Sequence, residues 1–285
     1  MRKDEGRYGL AYAPNISWLL PDLPFSERPR AVAEAGFGAF EFGFPSHADL
    51  AALHAAREDW GLEIVLFNQD VPVWDRANRG YLADPARGDE FHRTLDEAFV
   101  LAGRLGAQKI MLPAGVEVPG LPRPAQRKCM VDRLHQAGAL AEQAGVLLTI
   151  EVLNPMDNPG YFLTSADEAI AIVREVDHSR VRFQLDTYHL HCQGGDPEKT
   201  LGADGPAIGH IQFADDPGRH EPGSGSIDFG ALLRAARAAG YRGYIGLEYI
   251  PQSRGIDTLA WVPEEMRRLP DELRPSAHIT EEKLR

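Results

Sequence analysis

Four short apolar segments in the second half of the chain each end in a side chain that offers an oxygen ligand. The segments TIE, FQLD, HIQ and GLE end in Glu151, Asp186, Gln212 and Glu248. Three carboxylates and one amide oxygen favour a hard cation such as Mg²⁺ or Mn²⁺ over a thiolate-seeking ion. A cation would also make three neighbouring carboxylates tolerable, because unshielded like charges raise one another's pKa. The alternative is that each acid pairs separately with a buried arginine or lysine.

These segments belong to a longer series with regular spacing. Eight apolar runs suited to strands begin at residues 8, 39, 62, 109, 146, 181, 208 and 244. Their apolar residues do not alternate with polar ones, which is typical of strands buried on both faces of a parallel sheet. Segments with helical periodicity lie between the runs, and several of them end at a glycine, such as Gly106 and Gly145.

The repeat of strand and helix, roughly 34 residues long, predicts a single-domain α/β protein with a (β/α)8 TIM barrel. The carboxyl ends of all strands meet at one mouth of such a barrel, so the four oxygen ligands come together there. A doubly wound parallel sheet is the structural alternative. It is disfavoured because the segment after the first strand, AYAPN, lacks the glycine-rich turn that holds a pyrophosphate.

Two segments fall outside the repeat. We predict that the barrel spans residues 1–262 and that residues 263–285 form a C-terminal tail, which is charged and proline-bearing. A contact between copies of the chain in a homo-oligomer is one role for such a tail. The long polar segment 68–88 follows the third strand, so it lies at the mouth and can act as a lid, with Trp74 as a candidate cover for substrate.

Other polar side chains are predicted to face the same mouth. His210 precedes Gln212 by two positions and therefore points to the same side of its strand. Glu41 and Lys109, which border other strands, are interpreted as members of structural ion pairs, and His191 and His220 as structural. Four further polar residues lie just after the predicted ligands or in the glycine-rich segment 215–225, namely Asn154, His189, Arg219 and Glu221.

Four stretches of the sequence resemble the hydroxypyruvate isomerase family. They read EVLNPMDNPGYFLTS, QLDTYHL, GHIQFADDPGRHEPGSGSIDF and YIGLEYIPQ. That family belongs to the xylose-isomerase-like barrels, together with the ketose 3-epimerases. The resemblance covers residues 8 to 252, and it is strongest from Glu151 onward.

The resemblance implies one divalent metal held by Glu151, Asp186, Gln212 and Glu248. It also implies that Glu151 and Glu248 move protons, and that His189 and Arg219 contact substrate oxygens. Asn154 and Glu221 complete the predicted substrate contacts. Glutamine at the third ligand position favours an isomerase, because the 3-epimerases usually carry histidine there.

The expected reaction is proton transfer beside a carbonyl, through an enediolate, which would convert hydroxypyruvate to tartronate semialdehyde. Segment 68–72 reads NQDVP where the family commonly has Leu-Pro-Ala-Gly-Asp, so the exact substrate stays open. A ketose 3-epimerase and an isomerase of four-carbon 2-keto acids are the alternatives on the same scaffold. A non-catalytic ligand-binding barrel and an abasic-site endonuclease are the alternatives from other classes.

Composition bounds these hypotheses. The chain has 285 residues and a formal net charge of −12, which disfavours binding to a nucleic-acid backbone. Its N-terminal apolar stretch is broken by Pro14 and Asn15, so we expect neither a signal peptide nor a membrane span. Two cysteines, Cys129 and Cys192, make a disulfide framework unexpected and a cytoplasmic location the default.

Overall fold

Parallel strands alternate with helices throughout the computed structural model, which describes residues 9–273. The strands in this range are β1 Leu10–Pro14, β2 Ala39–Phe40, β3 Glu63–Ile64, β4 Leu66–Asn68, β5 Lys109–Met111, β6 Leu147–Glu151, β7 Val181–Asp186, β8 Ile208–Phe213 and β9 Gly243–Leu247. The helices are α1 Arg28–Glu34, α2 Leu50–Trp60, α3 Gly88–Leu105, α4 Arg123–Ala144, α5 Ala166–Val176, α6 Thr187–His191, α7 Pro197–Asp204 and α8 Phe229–Ala238.

The strands close into the predicted (β/α)8 barrel. Seven of them form one parallel sheet in the order β1-β9-β8-β7-β6-β5-β4, and β2 pairs with β3. The remaining gap is closed by a bridge between Asn15 and Glu41 and by the bond from the N–H of Phe42 to the carbonyl of Leu66. The predicted third strand is therefore present in two pieces, β3 and β4, on either side of Val65.

Helix ends follow local sequence signals. The Ser165 side chain accepts a hydrogen bond from the N–H of Glu168 at the start of α5. The helices α3 and α4 end where Gly106 and Gly145 adopt left-handed conformations, with φ of 61° and 73°. Such a φ is strained for a residue with a Cβ, so glycine is the favoured stop.

The short helix α6 was not predicted. Its first turn explains why the apolar strand β7 ends in an acidic residue. Asp186 ends β7 and also caps α6, because its Oδ1 accepts a hydrogen bond from the N–H of His189 at 3.0 Å. One carboxylate oxygen thus fixes the turn from strand to helix. The other oxygen remains directed into the mouth of the barrel.

The long segment 68–88 contributes to one wall of the mouth. Its Trp74 packs against Phe44, with ring centroids 5.1 Å apart. Gly80 adopts φ 112°, and a Cβ there would lie 2.3 Å from the carbonyl oxygen of Pro113. The close approach of these two backbones therefore requires glycine at position 80.

The described part of the predicted tail, residues 263–273, packs on the barrel. Met266 and Leu269 are buried, and Arg267 donates a hydrogen bond to the carbonyl of Ala35 at 2.8 Å. Residues 274–285 and 1–8 lie outside the described residues, and the boundary at 262 stays a prediction. None of the helices within 9–273 combines the length and apolar composition that crossing a membrane requires.

Candidate active site

Two carboxylates and an imidazole converge where β6 and β7 end. Donor atoms of Glu151, Asp186 and His189 all lie within 4.8 Å of one another, and all three residues are buried. Oε1 of Glu151 and Oδ2 of Asp186 are buried and have no hydrogen-bond partner among the described residues. Unsatisfied buried carboxylate oxygens are costly, so their position fits a bound cation.

Glu248 follows β9 directly and lies beside this group. Its Oε2 accepts hydrogen bonds from Nδ2 of Asn15 and Nε2 of Gln212, both at 2.9 Å. Its Oε1 pairs with Nη2 of Arg219 at 2.6 Å, and the same Nη2 lies 3.6 Å from Oδ2 of Asp186. The structure therefore brings Glu151, Asp186 and Glu248 together, with Gln212 next to Glu248 through its amide nitrogen.

The electrostatics of these acids also suit a cation. Burial, followed by the negative charges of Glu248 and Asp186, raises the pKa of Glu151 well above its ordinary value. Burial likewise raises the pKa of Glu248 and raises that of Asp186 to about 7, while the charge of Arg219 opposes both shifts. A divalent ion would favour the ionised forms, so Glu151, Asp186, Gln212 and Glu248 stay the predicted metal ligands.

A buried polar chain lies deeper in the barrel and supports Gln212. Nε2 of Gln212 donates to Oε1 of Glu41 at 2.6 Å, and its Oε1 accepts from Nε2 of Gln184 at 2.8 Å. The other oxygen of Glu41 contacts Nε2 of His210 at 2.8 Å. Nδ1 of His210 contacts Nζ of Lys109 at 3.0 Å. His210 thus lies on the same side of β8 as Gln212, as predicted. Its ring contacts Glu41 inside the barrel, so the prediction that it faces the mouth is wrong.

Glu41 has the predicted structural pairing, with His210 and Gln212 as its partners. The salt bridge predicted for Lys109 is wrong, because its ammonium group contacts the ring of His210 instead of a carboxylate. Burial raises the pKa of Glu41 to about 7 and lowers the pKa of Lys109 to about 8. Gly246 in β9 makes room for this carboxylate, because a Cβ there would lie 2.4 Å from its Oε1.

His189 and Asn154 form one unit. Nδ1 of His189 lies 2.9 Å from Nδ2 of Asn154 and 3.3 Å from the backbone N of Asn154. Burial, followed by the positive charge of Arg219, lowers the pKa of His189 well below its ordinary value, so the ring is neutral at neutral pH. Asn154 is fully buried and lies outside the cavity lining, so its side chain contacts His189 and not the cavity.

Arg219 is held between aromatic rings. Its guanidinium carbon lies 4.3 Å from the ring centre of Trp18 and 5.5 Å from that of Tyr188. Its Nε is buried without a hydrogen-bond partner among the described residues.

Glu221, another predicted substrate contact, accepts a hydrogen bond from the N–H of Gln252 at 2.9 Å. It does not line the cavity above the acids.

A cavity of about 580 Å³ opens above these groups. Its floor includes Glu151, His189, Arg219 and Glu248. Its wall is largely apolar and aromatic, with a few polar side chains: Trp18, Phe44, His47, Asn68, Trp74, Met111, Leu153, Asp157, Asn158, Tyr188 and Ile250. An apolar cavity with a few convergent polar groups is the usual form of a small-molecule site.

Comparison with known proteins agrees with this geometry. Residues 29–272 match the family model described as xylose isomerase-like TIM barrel. The chain belongs to that family.

Two curated relatives are named as isomerases. A putative hydroxypyruvate isomerase from Danio rerio is 37% identical, over 90% of this chain and 96% of the relative. A 2-oxo-tetronate isomerase from Cupriavidus necator is 35% identical, over 90% of this chain and 99% of the relative. A solved structure named AP endonuclease, family 2, from Brucella melitensis is 33% identical, with a TM-score of 0.83 over 88% of this chain and 97% of that chain.

Two residues of this xylose isomerase-like barrel were missed by sequence reasoning. Asn15 follows β1 as the predicted ligands follow their strands, and it hydrogen-bonds Glu248. Asp215, which comes two residues after β8, accepts hydrogen bonds from four backbone N–H groups of the loop that carries Arg219. The same signal, a polar residue at a strand end, was available for both.

Proposed function

We propose that this protein is a divalent-metal-dependent isomerase of small 2-keto-3-hydroxy acids, with hydroxypyruvate as the first candidate substrate. The product would be tartronate semialdehyde. The observation that carries the proposal is a pair of buried carboxylate oxygens, on Glu151 and Asp186, that have no hydrogen-bond partner among the described residues. They lie beside Glu248 and Arg219 at the cavity. The isomerase names of the curated relatives support it.

Glu151 and Glu248 are the proposed proton carriers. One carboxylate takes a proton from the carbon that bears the hydroxyl group, and a second group returns a proton to the former carbonyl carbon. The hydroxyl proton passes to the former carbonyl oxygen, which becomes the hydroxyl group of the product. A divalent cation at this site would supply Lewis-acid stabilisation of the negative charge that develops on the substrate oxygens. Burial raises the pKa of both glutamates in the metal-free chain. A bound cation would oppose this shift, so each carboxylate would be ionised and able to accept a proton.

Arg219 and His189 are the proposed contacts for substrate oxygens. The two rings that flank Arg219 fix the plane of its guanidinium, and its Nε has a free donor for a carboxylate. Glu221 also stays a predicted substrate contact. Because its carboxylate holds the backbone of Gln252, its effect on substrate would be exerted through the loop.

A four-carbon 2-keto acid is the second candidate substrate. The cavity, at about 580 Å³, has room for a longer chain than that of hydroxypyruvate, and the Cupriavidus necator relative is named a 2-oxo-tetronate isomerase. The aromatic side chains of Phe44 and Trp74 line this cavity. A ketose 3-epimerase is the weaker alternative, since Gln212 stands where histidine is usual in those enzymes.

The name of the Brucella melitensis structure suggests an endonuclease as an alternative function. The charge and the donor set of this chain fit that function less well than they fit an isomerase. A protein that binds a DNA backbone needs a basic surface, whereas the net charge of this chain is −12. Among residues 9–273, the group of candidate metal donors at the mouth contains two carboxylates and a single histidine. That set favours a hard cation over several zinc ions.

We also propose Mg²⁺ or Mn²⁺ as the metal, because oxygen ligands dominate the predicted set. A cytoplasmic location is consistent with Cys129 and Cys192, which are both free thiols. A homo-oligomer remains part of the proposal, and size-exclusion chromatography with light scattering would test it.

The deciding experiment is proton NMR in D2O with Mg²⁺, using hydroxypyruvate, four-carbon 2-keto acids and free ketoses. We expect deuterium to enter at the carbon beside the carbonyl, and EDTA or Glu248→Gln to reduce the rate by about 10²-fold or more. Glu175→Gln is a matched control, because Glu175 lies at the surface in an ion pair with Arg127. Absence of exchange from folded, metal-loaded protein with every compound would overturn the proposal.

A further inference from the structure

The orientation of the Asn154 amide determines which nitrogen of His189 carries hydrogen. The Oδ1 of Asn154 accepts a hydrogen bond from the N–H of Asp157 at 2.9 Å. Its Nδ2 donates to Oδ2 of Asp157, also at 2.9 Å. Rotating the amide by 180° would place Oδ1 against this carboxylate, so Nδ2 must face Asp157 and His189.

Nδ1 of His189 therefore faces two N–H donors, namely Nδ2 of Asn154 at 2.9 Å and the backbone N of Asn154 at 3.3 Å. A ring nitrogen can accept a hydrogen bond only through its lone pair. A neutral imidazole that is unprotonated at Nδ1 carries its hydrogen on Nε2. Since His189 lines the cavity, Nε2–H is its remaining polar group for a ligand.

Asp157 is itself held in place. The hydroxyl of Tyr188 donates to Oδ2 of Asp157 at 2.7 Å, so one carboxylate oxygen receives both this hydrogen bond and that of Asn154. Although burial raises it, these two hydrogen bonds lower the pKa of Asp157 below its ordinary value, which keeps the carboxylate an acceptor. Asp157 also lines the cavity.

We propose that Asp157, acting through Asn154, is a positioning residue that holds His189 as the tautomer with hydrogen on Nε2. In that form the ring donates a hydrogen bond toward a substrate oxygen and cannot bind the metal, despite its position beside Glu151 and Asp186. The role toward substrate rests on the isomerase function proposed above. The tautomer itself follows from the hydrogen-bond network alone. A donor aimed at an oxygen that gains negative charge stabilises the transition state.

The tautomer can be measured directly by nitrogen NMR of the uniformly ¹⁵N-labelled protein at neutral pH, because protonated and unprotonated ring nitrogens have distinct shifts. Loss of the ring signals in His189→Gln assigns them. We expect Nε2 to be protonated in the unaltered protein, with and without Mg²⁺. Protonation at Nδ1, or a metal-dependent loss of the Nε2 hydrogen, would overturn the inference.

Exchanging the two polar residues provides the second test. In the double variant Asn154→Asp with Asp157→Asn, the amide at 157 can donate to the carboxylate at 154, which then accepts from Nδ1. We expect the tautomer to shift toward hydrogen on Nδ1, although the backbone N–H of residue 154, at 3.3 Å, still favours the original form. We also expect kcat to fall about 10- to 100-fold, as for other residues that orient a functional histidine. Mn²⁺ affinity, followed by electron paramagnetic resonance, should not weaken. Tyr188→Phe keeps the bond between Asn154 and Asp157, so its tautomer should match that of the unaltered protein.

The outcomes separate this inference from the isomerase proposal. A tautomer population that does not change in the folded double variant would overturn the positioning role of Asp157. The protein could have Nε2 protonated and still turn over none of the tested keto acids. That result would support the tautomer assignment and contradict the isomerase proposal.

Discussion

At the residue scale, Arg219 pairs with buried acids and is also the proposed contact for the substrate carboxylate. Its guanidinium neutralises Glu248, at 2.6 Å, and approaches Asp186, at 3.6 Å, in a setting where only about a tenth of the Arg219 side chain is exposed. The proposed reaction also needs this cation to hold the substrate carboxylate. Both tasks are compatible because one nitrogen, Nη2, contacts the acids, while Nε has no partner among the described residues.

We expect Arg219→Met to lower the free energy of unfolding of the metal-free protein by about 3 kcal/mol, because it leaves buried carboxylates unpaired. The loss should be smaller with Mg²⁺, since a bound cation replaces part of the lost charge. Urea unfolding with and without Mg²⁺ measures both values. Arg174→Met is the control: Arg174 is 64% exposed in its pair with Asp204, so we expect a change below about 1 kcal/mol. Equal losses with and without metal would contradict the account.

At the element scale, the glycine-containing loop 216–227 is held by hydrogen bonds to a single side chain, that of Asp215. Oδ1 of Asp215 accepts from the N–H groups of Asp216 and Ile227, at 2.9 and 3.1 Å. Its Oδ2 accepts from those of Gly223 and Gly225, both at 2.8 Å. One carboxylate thus binds both ends of the loop, and this fixes the backbone that presents Arg219.

Asp215→Asn should weaken this loop, because the new NH2 group faces N–H donors that have lost their acceptor. We expect a loss of about 2 kcal/mol in unfolding free energy, the usual cost of unsatisfied buried donors, together with a raised KM. Urea unfolding and steady-state kinetics are the measurements. Asp228→Asn is the matched control, since Asp228 caps α8 through one N–H and asparagine caps almost equally well. A destabilised variant with unchanged KM would separate Asp215 from the placement of Arg219.

At the scale of the whole molecule, the barrel concentrates acids at one end. Closure of the sheet brings Glu151, Asp186 and Glu248 together from strands that are distant in sequence, and burial raises the pKa of each. The proposed cation would therefore link stability to metal occupancy, because an ion that binds only the folded chain shifts the folding equilibrium.

We expect EDTA to lower the melting temperature, and Mg²⁺ or Mn²⁺ to restore it. A metal present at 100 times its Kd stabilises by about 2.7 kcal/mol, which corresponds to a shift of about 5 °C for a chain of this size. Differential scanning calorimetry measures the shift. Asp186→Asn, which removes a predicted ligand without changing side-chain size, should show little response to either treatment. A full response in that variant would exclude Asp186 as a ligand.

The metal effect should also depend on pH. The pKa of Asp186 is raised from 3.8 to about 7 in the folded protein, so the folded state binds more protons than the unfolded chain between these values. Stability of the metal-free protein therefore falls as pH rises across that window. We expect a larger metal-induced shift at pH 8 than at pH 5, and a reversed trend would contradict the raised pKa.

Several elements could be predicted because their signals are local. Strands buried on both faces are continuous apolar runs, and each helix between them ends at a glycine or at another turn signal, so the barrel followed from the order of the elements. The curated relatives confirm the expected isomerase family. The division of the third strand at Val65 and the short helices α6 and α7 were not predicted, since packing and a single capping carboxylate decide them.

The sequence by itself determined the type of fold, the strand ends that carry oxygen ligands, and the resemblance that suggests their chemistry. Only the tertiary structure decided which polar groups meet. Asn15 reaches Glu248 across 233 positions, His210 bonds Glu41 across 169, and Asn154 bonds His189 across 35. The physical reason is that period and apolarity are properties of neighbouring residues, whereas these contacts exist only after the barrel closes.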